Sequence, residues 1–305
     1  RYIASGGGAK QVLDAYKWGV ATFTRRERIP RYVRLFDYDD WGRNEFIVST
    51  EVVFEGRGRI RADVVLFLNG IPLVVIEGKN PLQPGATLEA AYVRVGDHIG
   101  EVPELFKYAQ IGVAYDREEA EYFTVSPEGA GVRHVWRADG GEAGLAAVVE
   151  MFEPQRLLEL VRWFIFPREG EKSGKVVARY MQYKAVKEIV RVVNERRAGK
   201  SEAKQGLIWH WQGSGKTLTM AFAANWLYHL LGNPTIFFVL DRKELQEQLA
   251  RELSKVWGEG KAKVHWEEVR SVKGLLEVLK AENYRGRRGI FICLLYTSPS
   301  PRDRG

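Results

Sequence analysis

The stretch Ala62-Asp-Val-Val-Leu-Phe-Leu-Asn-Gly-Ile-Pro-Leu-Val-Val-Ile-Glu-Gly-Lys79 decides the fold of the first half of this 305-residue chain. It contains two strongly apolar runs, residues 62–68 and 71–77, which are joined by Asn69 and Gly70. An Asn-Gly pair between two apolar runs predicts a β-hairpin, because both residues tolerate the positive φ angles of a tight turn. Both runs are apolar on both faces, so the sequence predicts that the hairpin lies inside a covered sheet.

Ionisable residues stand at the far ends of these two strands, where Asp63 opens the first and Glu77-Gly78-Lys79 closes the second. Charges in such places need partners or a metal. Two carboxylates bind a hard cation such as Mg²⁺, which lowers the pKa of an attacking water, and a nearby ammonium stabilises developing charge. The order Asp63, Glu77-Gly78-Lys79 resembles the D-(x)n-E-x-K pattern of a large nuclease superfamily. This resemblance implies a nuclease site with Asp63, Glu77 and Lys79 as catalytic residues and Asp63 and Glu77 as metal ligands. A Glu-x-Lys match alone is common by chance.

The loop of the hairpin decides whether Asp63 and Glu77 can share a cation. With a two-residue loop, Asp63 faces Ile76, and Glu77 points to the opposite side of the sheet. A three-residue loop, or a bulge near Pro72, brings both carboxylates to one face. We therefore predict that a simple two-residue hairpin does not form, and that the two carboxylates and the Lys79 ammonium lie within roughly 4–8 Å of one another.

Other segments of the first region carry weaker patterns. Residues 46–54 alternate, with Phe46, Val48, Thr50, Val52 and Phe54 on one predicted strand face. Residues 86–95 are typical of a helix, and residues 121–125 and 132–136 are typical of short strands.

A second region follows Phe166, and the polar stretch that begins at Pro167 is the predicted linker. Alternating helices and strands then predict a parallel α/β sheet. The predicted elements are helices at 180–197, 216–231 and 243–257, and strands at 206–210 and 235–240.

Gln212-Gly-Ser-Gly-Lys-Thr217 follows one of these strands and opens a helix. Glycines let a loop turn its N–H groups toward a phosphate, so the sequence predicts a nucleotide-binding P-loop that contains Gly213, Ser214 and Gly215. Lys216 would reach the β- and γ-phosphates of ATP, and the Thr217 hydroxyl would hold Mg²⁺. A glycine-rich turn that only caps a helix is the weaker alternative.

Two flanking segments agree with an ATP-driven motor. Gln182 lies on the helix before the loop and resembles the helicase glutamine that recognises adenine, although an exposed helical glutamine is the simpler interpretation. Residues 237–242 resemble the next helicase motif, which contacts nucleic acid, and a plain buried strand is the alternative. The order and spacing of the three segments favour the helicase interpretation.

Composition sets broad limits. The net charge of +7 and the pI near 9.3 fit either a moderately basic protein or one that binds a polyanion. A single cysteine, Cys293, allows no internal disulfide and suits a reducing compartment. No run of about 18 apolar residues is present, so we expect no membrane span.

These motifs together resemble the restriction (R) subunit of type I restriction–modification enzymes over roughly residues 32–292. The resemblance rests on residues 44–46, 63–81, 102–108 and 206–220. It implies an α/β chain in which a PD-(D/E)xK-type restriction-endonuclease-like domain (1–166) and a linker (167–176) precede part of a P-loop, RecA-like helicase lobe (177–292). It further implies ATP and Mg²⁺ as cofactors, double-stranded DNA as substrate, methyltransferase and specificity subunits as partners, and a cytoplasmic location.

The chain departs from this family at three positions. Ala62 replaces the usual proline, and Arg94 and His98 stand where a glutamine and a tyrosine are expected. A degenerate nuclease module that only binds DNA or partner subunits therefore stays an alternative. A DNA-repair or defence helicase of another kind, with a fused nuclease, is a second.

The last residues, Cys293 to Asp303, resemble the translation of a sequencing adapter. We therefore expect genuine sequence to stop near Ile292 and residues 293–305 to have no packed role. A flexible Ser/Pro-rich tail is the alternative.

Overall fold

A computed structural model describes the chain in two compact units, Arg1–Tyr180 and Met181–Gly305. The residues that it describes are 8–22, 31–79, 87–116, 119–168, 171–257, 266–284 and 286–294. No helix among them combines the length and the apolar character that a membrane crossing requires.

The first unit is a mixed α/β structure. Its helices are α1 (Ala9–Trp18), α2 (Leu88–Glu101), α3 (Pro103–Tyr108), α4 (Leu145–Met151) and α5 (Pro154–Glu159), which continues into a π-helical turn (Leu160–Phe164). Its strands are β1 (Val20–Thr22), β2 (Arg31–Val33), β3 (Phe46–Glu55), β4 (Arg59–Leu68), β5 (Ile71–Gly78), β6 (Ile111–Tyr115), β7 (Ala120–Ser126), β8 (Gly129–Ala130), β9 (Ile165–Pro167) and β10 (Lys175–Val177).

A six-stranded sheet with the order β3-β4-β5-β6-β7-β8 forms the centre of this unit. Its strands are antiparallel except for the parallel pair β5 and β6, which the helices α2 and α3 connect. The apolar face of α2, which includes Ala91, Val95 and Ile99, packs against Val75 of β5 in the main buried cluster. One face of the sheet is thereby covered beside the end of β5.

The β4–β5 hairpin corrects part of the sequence prediction. Leu68 pairs with Ile71, so the hairpin has a two-residue turn. The prediction of a three-residue loop is therefore wrong. Asn69 and Gly70 have φ angles of 51° and 77°, as such a turn requires. A bulge then shifts the register, and Val64 pairs with Ile76. The predicted bulge near Pro72 is therefore confirmed, and it places Asp63 opposite Glu77.

The edge strand β3 is confirmed as a strand, but its predicted single face is wrong. Val52 and Phe54 pack against the core, whereas Val48 is 68% exposed. Between them Glu51 adopts a φ of +51°, which interrupts the alternation of side chains. Thr50 pairs with Val64 and Val52 pairs with Ala62, so Glu51 lies opposite Asp63.

The other predicted elements of this unit differ in outcome. The strand at 121–125 is confirmed within β7, and the predicted helix corresponds to α2, although residue 86 lies outside the described residues. The prediction of a strand at 132–136 is wrong, because this segment makes only an isolated antiparallel β-bridge, between His134 and Tyr122. Residues 167–176, which the sequence assigns to a linker, contain the end of β9 and the start of β10.

The second unit begins one residue into α6 (Tyr180–Arg197). It further contains α7 (Lys216–Leu230), β11 (Thr235–Leu240), α8 (Lys243–Trp257), β12 (Trp266–Val269), α9 (Val272–Tyr284) and β13 (Gly289–Leu294). Its three-stranded sheet has the order β11-β13-β12, and both pairs are parallel. The predicted helices and the strand at 235–240 are confirmed, and the parallel sheet is as expected.

Two predictions for the second unit are wrong. Residues 206–210 form no strand, and Leu207 and Trp209 are 81% and 86% exposed, because none of the described strands offers their backbone a ladder partner. The expectation that packing stops at Ile292 also fails, since the buried Cys293 pairs with Val239 in the central strand β13. Residues 295–305 lie outside the described residues.

Candidate functional site

Asp63 and Glu77 come together where the backbone ladder between β4 and β5 ends. The N–H of Asp63 donates to Oε1 of Glu77 at 3.2 Å, and the N–H of Gly78 donates to Oδ2 of Asp63 at 2.9 Å. Each carboxylate thus accepts a hydrogen bond from a backbone N–H of the other strand. The two side chains share one face, as the bulged register requires.

This pair of carboxylates fits a hard cation. Glu77 is 2% exposed, and Asp63 is half-buried. The hydrogen bonds above engage one oxygen of each group, and one or two carboxylates completed by waters are a usual donor set for Mg²⁺. The described residues contain no group of three or more His, Cys, Asp or Glu side chains that could hold a metal. Any cation here would therefore complete its coordination largely with water or substrate.

Gly78, between the two charged positions of the Glu-x-Lys pattern, lies against a ring that the sequence analysis missed. A Cβ at Gly78 would stand 2.4–2.6 Å from ring atoms and the hydroxyl of Tyr115. Tyr115 also accepts the backbone N–H of Lys79 at its carbonyl, at 3.0 Å. Lys79 follows β5 directly and its side chain is half-buried. The predicted distance of its ammonium from the carboxylates stays a prediction.

His98 is a second residue whose place in the site the sequence did not reveal. Its Nδ1 lies 3.2 Å from Oε1 of Glu77, and the two side chains are 1% and 3% exposed. Ala91, Val95 and His98 follow a helical i, i+4, i+7 pattern, which was the available signal that His98 faces the sheet. Arg94, another of the three positions at which the chain departs from the family pattern, is exposed.

The glycine-rich loop forms at the N-terminus of α7. Gly213 and Gly215 have φ angles of +80° and +81°, which glycine adopts without strain. The Lys216 ammonium donates to the carbonyls of His210 and Trp211, both at 2.8 Å. Two residues of the turn therefore have left-handed backbone, and its lysine is folded back onto the chain that precedes it.

Gln182 packs against this loop, and Ser214 is buried within it. The buried amide of Gln182 donates to the carbonyls of Ser214 and Gly215, at 3.3 and 3.0 Å. A Cβ at Gly215 would lie 2.5 Å from Nε2 of Gln182, so only glycine fits there without displacing the amide. Thr217 is the second residue of α7 and is half-buried. The structure thus brings Gln182 to the loop, and its contact with adenine stays a prediction.

Comparisons with known protein families divide the chain in the same order. Residues 6–130 match the family described as the N terminus of the type I restriction enzyme R protein. Residues 181–290 match the SWI2/SNF2 ATPase family.

Individual relatives agree over most of the chain. It is 34% identical over 287 residues to the MjaVIIP endonuclease subunit of Methanocaldococcus jannaschii, covering 88% of this chain and 26% of the relative. It is 30% identical over 305 residues to the MjaVIIIP endonuclease subunit of the same organism, covering 94% and 30%. It is 33% identical over 238 residues to the HindI endonuclease subunit of Haemophilus influenzae, covering 73% and 22%. All three are named as type I restriction enzyme subunits, and the chain spans between a fifth and a third of their length.

Proposed function

This chain belongs to the family of type I restriction enzyme R proteins, and from that premise we propose that it cleaves double-stranded DNA with Mg²⁺ bound at Asp63 and Glu77. The observation that carries the proposal is the reciprocal hydrogen bonding of the two carboxylates at the ladder's end. Among the described residues, no lysine or arginine forms an ion pair with either carboxylate, and the imidazole of His98 is the ionisable neighbour of Glu77. Two adjacent carboxylates without such a lysine or arginine favour a bound cation between them.

Each side chain has a distinct task in this proposal. Bound Mg²⁺ would supply charge neutralisation of the phosphate and a water of lowered pKa. Asp63 and Glu77 hold the cation, and their backbone N–H donors fix the direction of both carboxylates. Lys79, which directly follows the strand that carries Glu77, would orient the water or stabilise the developing charge. The PD-(D/E)xK-type fold of residues 1–166 is part of this proposal.

The second unit is proposed to bind ATP and to move DNA. The positive φ angles of Gly213 and Gly215 and the helix that begins at Lys216 support a phosphate site, at which Ser214 contributes its backbone and Thr217 a metal-binding hydroxyl. Gln182 would recognise adenine. The match to an ATPase family supports this assignment. We place the motor lobe within residues 177–292, without a separate linker before it, because β9 and β10 belong to the first compact unit.

The same family assignment extends to partners. We propose that the R protein works with methyltransferase and specificity subunits in the cytoplasm, which would select unmodified foreign DNA. A net charge of +7 agrees with a polyanionic substrate.

Metal binding by the purified chain tests the nuclease assignment. We expect Mn²⁺, followed as free ion by electron paramagnetic resonance, to bind the unmodified chain, and Asp63→Asn or Glu77→Gln to weaken binding by about tenfold or more. Lys79→Met should bind Mn²⁺ normally yet fail to cut DNA in the Mg²⁺-loaded enzyme. Asp97→Asn, an exposed carboxylate on α2, is the matched control and should change neither property.

The outcome separates the alternatives. Mn²⁺ binding that is indifferent to Asp63 and Glu77 would remove the proposed metal site. DNA binding without Mg²⁺-dependent cleavage in the assembled enzyme would instead identify a degenerate module.

A further inference from the structure

His98 is fully buried and contacts Glu77 in the candidate nuclease site. The helix α2 carries it on the face that packs against the sheet, with Ala91 and Val95 in the same buried cluster that contains Val75. Helix α2 is fixed at its start, where the Thr87 hydroxyl accepts the N–H of Ala90 at 3.1 Å. The position of the imidazole is thus set by the packing of the whole helix.

The partner of this imidazole is a proposed metal ligand. Nδ1 of His98 lies 3.2 Å from Oε1 of Glu77, the same oxygen that accepts the N–H of Asp63. Within the described part of the chain, neither ring nitrogen makes an aligned hydrogen bond. A buried polar group without an aligned partner is costly, and contacts in catalytic sites are often bent before a ligand is bound. The imidazole therefore lies within hydrogen-bond distance of Glu77 without an aligned hydrogen bond to it.

We propose that His98 is a positioning residue for Glu77: its Nδ1–H directs the Glu77 carboxylate toward the cation shared with Asp63. This inference rests on the proposed nuclease function. His98 stands where the family pattern has a tyrosine, and in this proposal its Nδ1–H supplies the hydrogen-bond donor to Glu77. Groups that orient a metal ligand in this way typically change metal affinity by 10–100-fold when they are removed.

Two substitutions of His98 by amide residues distinguish the effect of the hydrogen-bond donor from the effect of the ring's volume. Asparagine places its amide nitrogen at the same number of bonds from Cα as Nδ1, whereas glutamine places it where Nε2 lies. In Mn²⁺ titrations of the purified chain, we expect His98→Asn to stay within about threefold of the unmodified affinity and His98→Gln to lose about tenfold or more. His98→Leu, which fills space without a donor, should resemble His98→Gln. Equal thermal unfolding temperatures show that the difference is local.

Three results would overturn the proposal. His98→Leu or His98→Gln binding Mn²⁺ as tightly as the unmodified chain would show that the contact is only structural. His98→Asn binding as weakly as His98→Gln would show that the donor position is irrelevant. An imidazole nitrogen bonded to Mn²⁺ in spin-echo modulation spectra, and lost in His98→Leu, would make His98 a ligand instead. Failure of the proposed function is distinguishable, since Asp63→Asn would then leave Mn²⁺ binding unchanged.

Discussion

Gly78 lies between Glu77 and Lys79 and has no room for a side chain. An added Cβ would stand 2.4 Å from the nearest ring atom of Tyr115, which borders Gly78 on the parallel strand β6. The three nearest atoms all belong to the far end of the Tyr115 side chain, so the ring has to move to admit a Cβ. The middle residue of the Glu-x-Lys pattern is therefore constrained by packing, although the pattern itself leaves that position open.

The steric argument predicts that Gly78→Ala lowers the free energy of unfolding by about 1–3 kcal/mol, as overpacking does elsewhere. In a Tyr115→Ala background the same substitution should cost less, with a coupling energy of about 0.5–3 kcal/mol between the two positions. Urea unfolding of the four chains measures this cycle. Gly96→Ala is the matched control: no atom lies within 4 Å of its added Cβ, and in the helix α2 it should stabilise by up to about 1 kcal/mol. If the losses in free energy of unfolding from Gly78→Ala and Tyr115→Ala were additive, the proposed steric contact between the two residues would be contradicted.

Single residues divide into those that the sequence predicts and those that it does not. Asp63 and Glu77 could be predicted as a pair, because charged side chains at the ends of apolar strands need an explanation and the hairpin offers one register that joins them. Tyr115 and His98 could not, because their contacts with Gly78 and Glu77 depend on how β6 and α2 pack against β5. No local pattern encodes a packing distance between separate elements.

At the scale of elements, a residue with positive φ explains why the predicted alternation of buried and exposed side chains along β3 was wrong. The strand β3 was predicted to bury one set of alternate side chains, but Glu51, at φ +51°, changes the buried set partway along it. Glutamate seldom adopts this conformation, so nothing in the residue type signals the change. The turn at Asn69 and Gly70 was predictable for the opposite reason, because these residues favour positive φ.

The strand β10 shows how a polar stretch becomes part of a folded unit. The Lys175 ammonium is buried and donates to the carbonyl of Ala109 at 3.2 Å and to Oε1 of Gln110 at 3.0 Å. Burial lowers the pKa of Lys175 from 10.5 to about 7, because a charged ammonium loses its hydration there. Sequence composition around Pro167 indicated a linker, since glycine and charged residues dominate it and the buried contact is distant in sequence.

The lowered pKa of Lys175 predicts a pH dependence of stability with a definite sign. Its folded-state pKa of about 7 lies below the ordinary value of 10.5, so the unfolded chain binds more protons between these two pH values. The free energy of unfolding should therefore rise with pH through this window, and the rise should be smaller in Lys175→Met. Urea unfolding at pH 7, 8 and 9 measures it, with the exposed Lys172→Met as control. Equal slopes in Lys175→Met and the unmodified chain would show that the lysine stays charged.

At the scale of the whole molecule, the two candidate sites lie in different compact units. Asp63 belongs to the unit Arg1–Tyr180, and Lys216 belongs to the unit Met181–Gly305. The order of the two units was predictable, because the hairpin and the glycine-rich loop each carry their own local pattern. The absence of a strand at residues 206–210 could not be predicted, because a run of apolar residues does not show whether another strand supplies its backbone with hydrogen-bond partners.

Separate units predict separable chemistry in the intact R protein assembled with its proposed partner subunits. Asp63→Ala should abolish DNA cleavage and leave ATP turnover unchanged, because it removes a metal ligand without touching the phosphate loop. Lys216→Ala should abolish ATP turnover and, with it, cleavage, since the loop loses the ammonium proposed to reach the β- and γ-phosphates and the nuclease then receives no translocated DNA. ATPase and plasmid-cleavage assays on the same preparations measure both effects, with Asp97→Asn as control. Loss of ATP turnover in Asp63→Ala would show that the nuclease site supports the motor directly. Cleavage that persists in Lys216→Ala would show that DNA cleavage does not depend on ATP turnover.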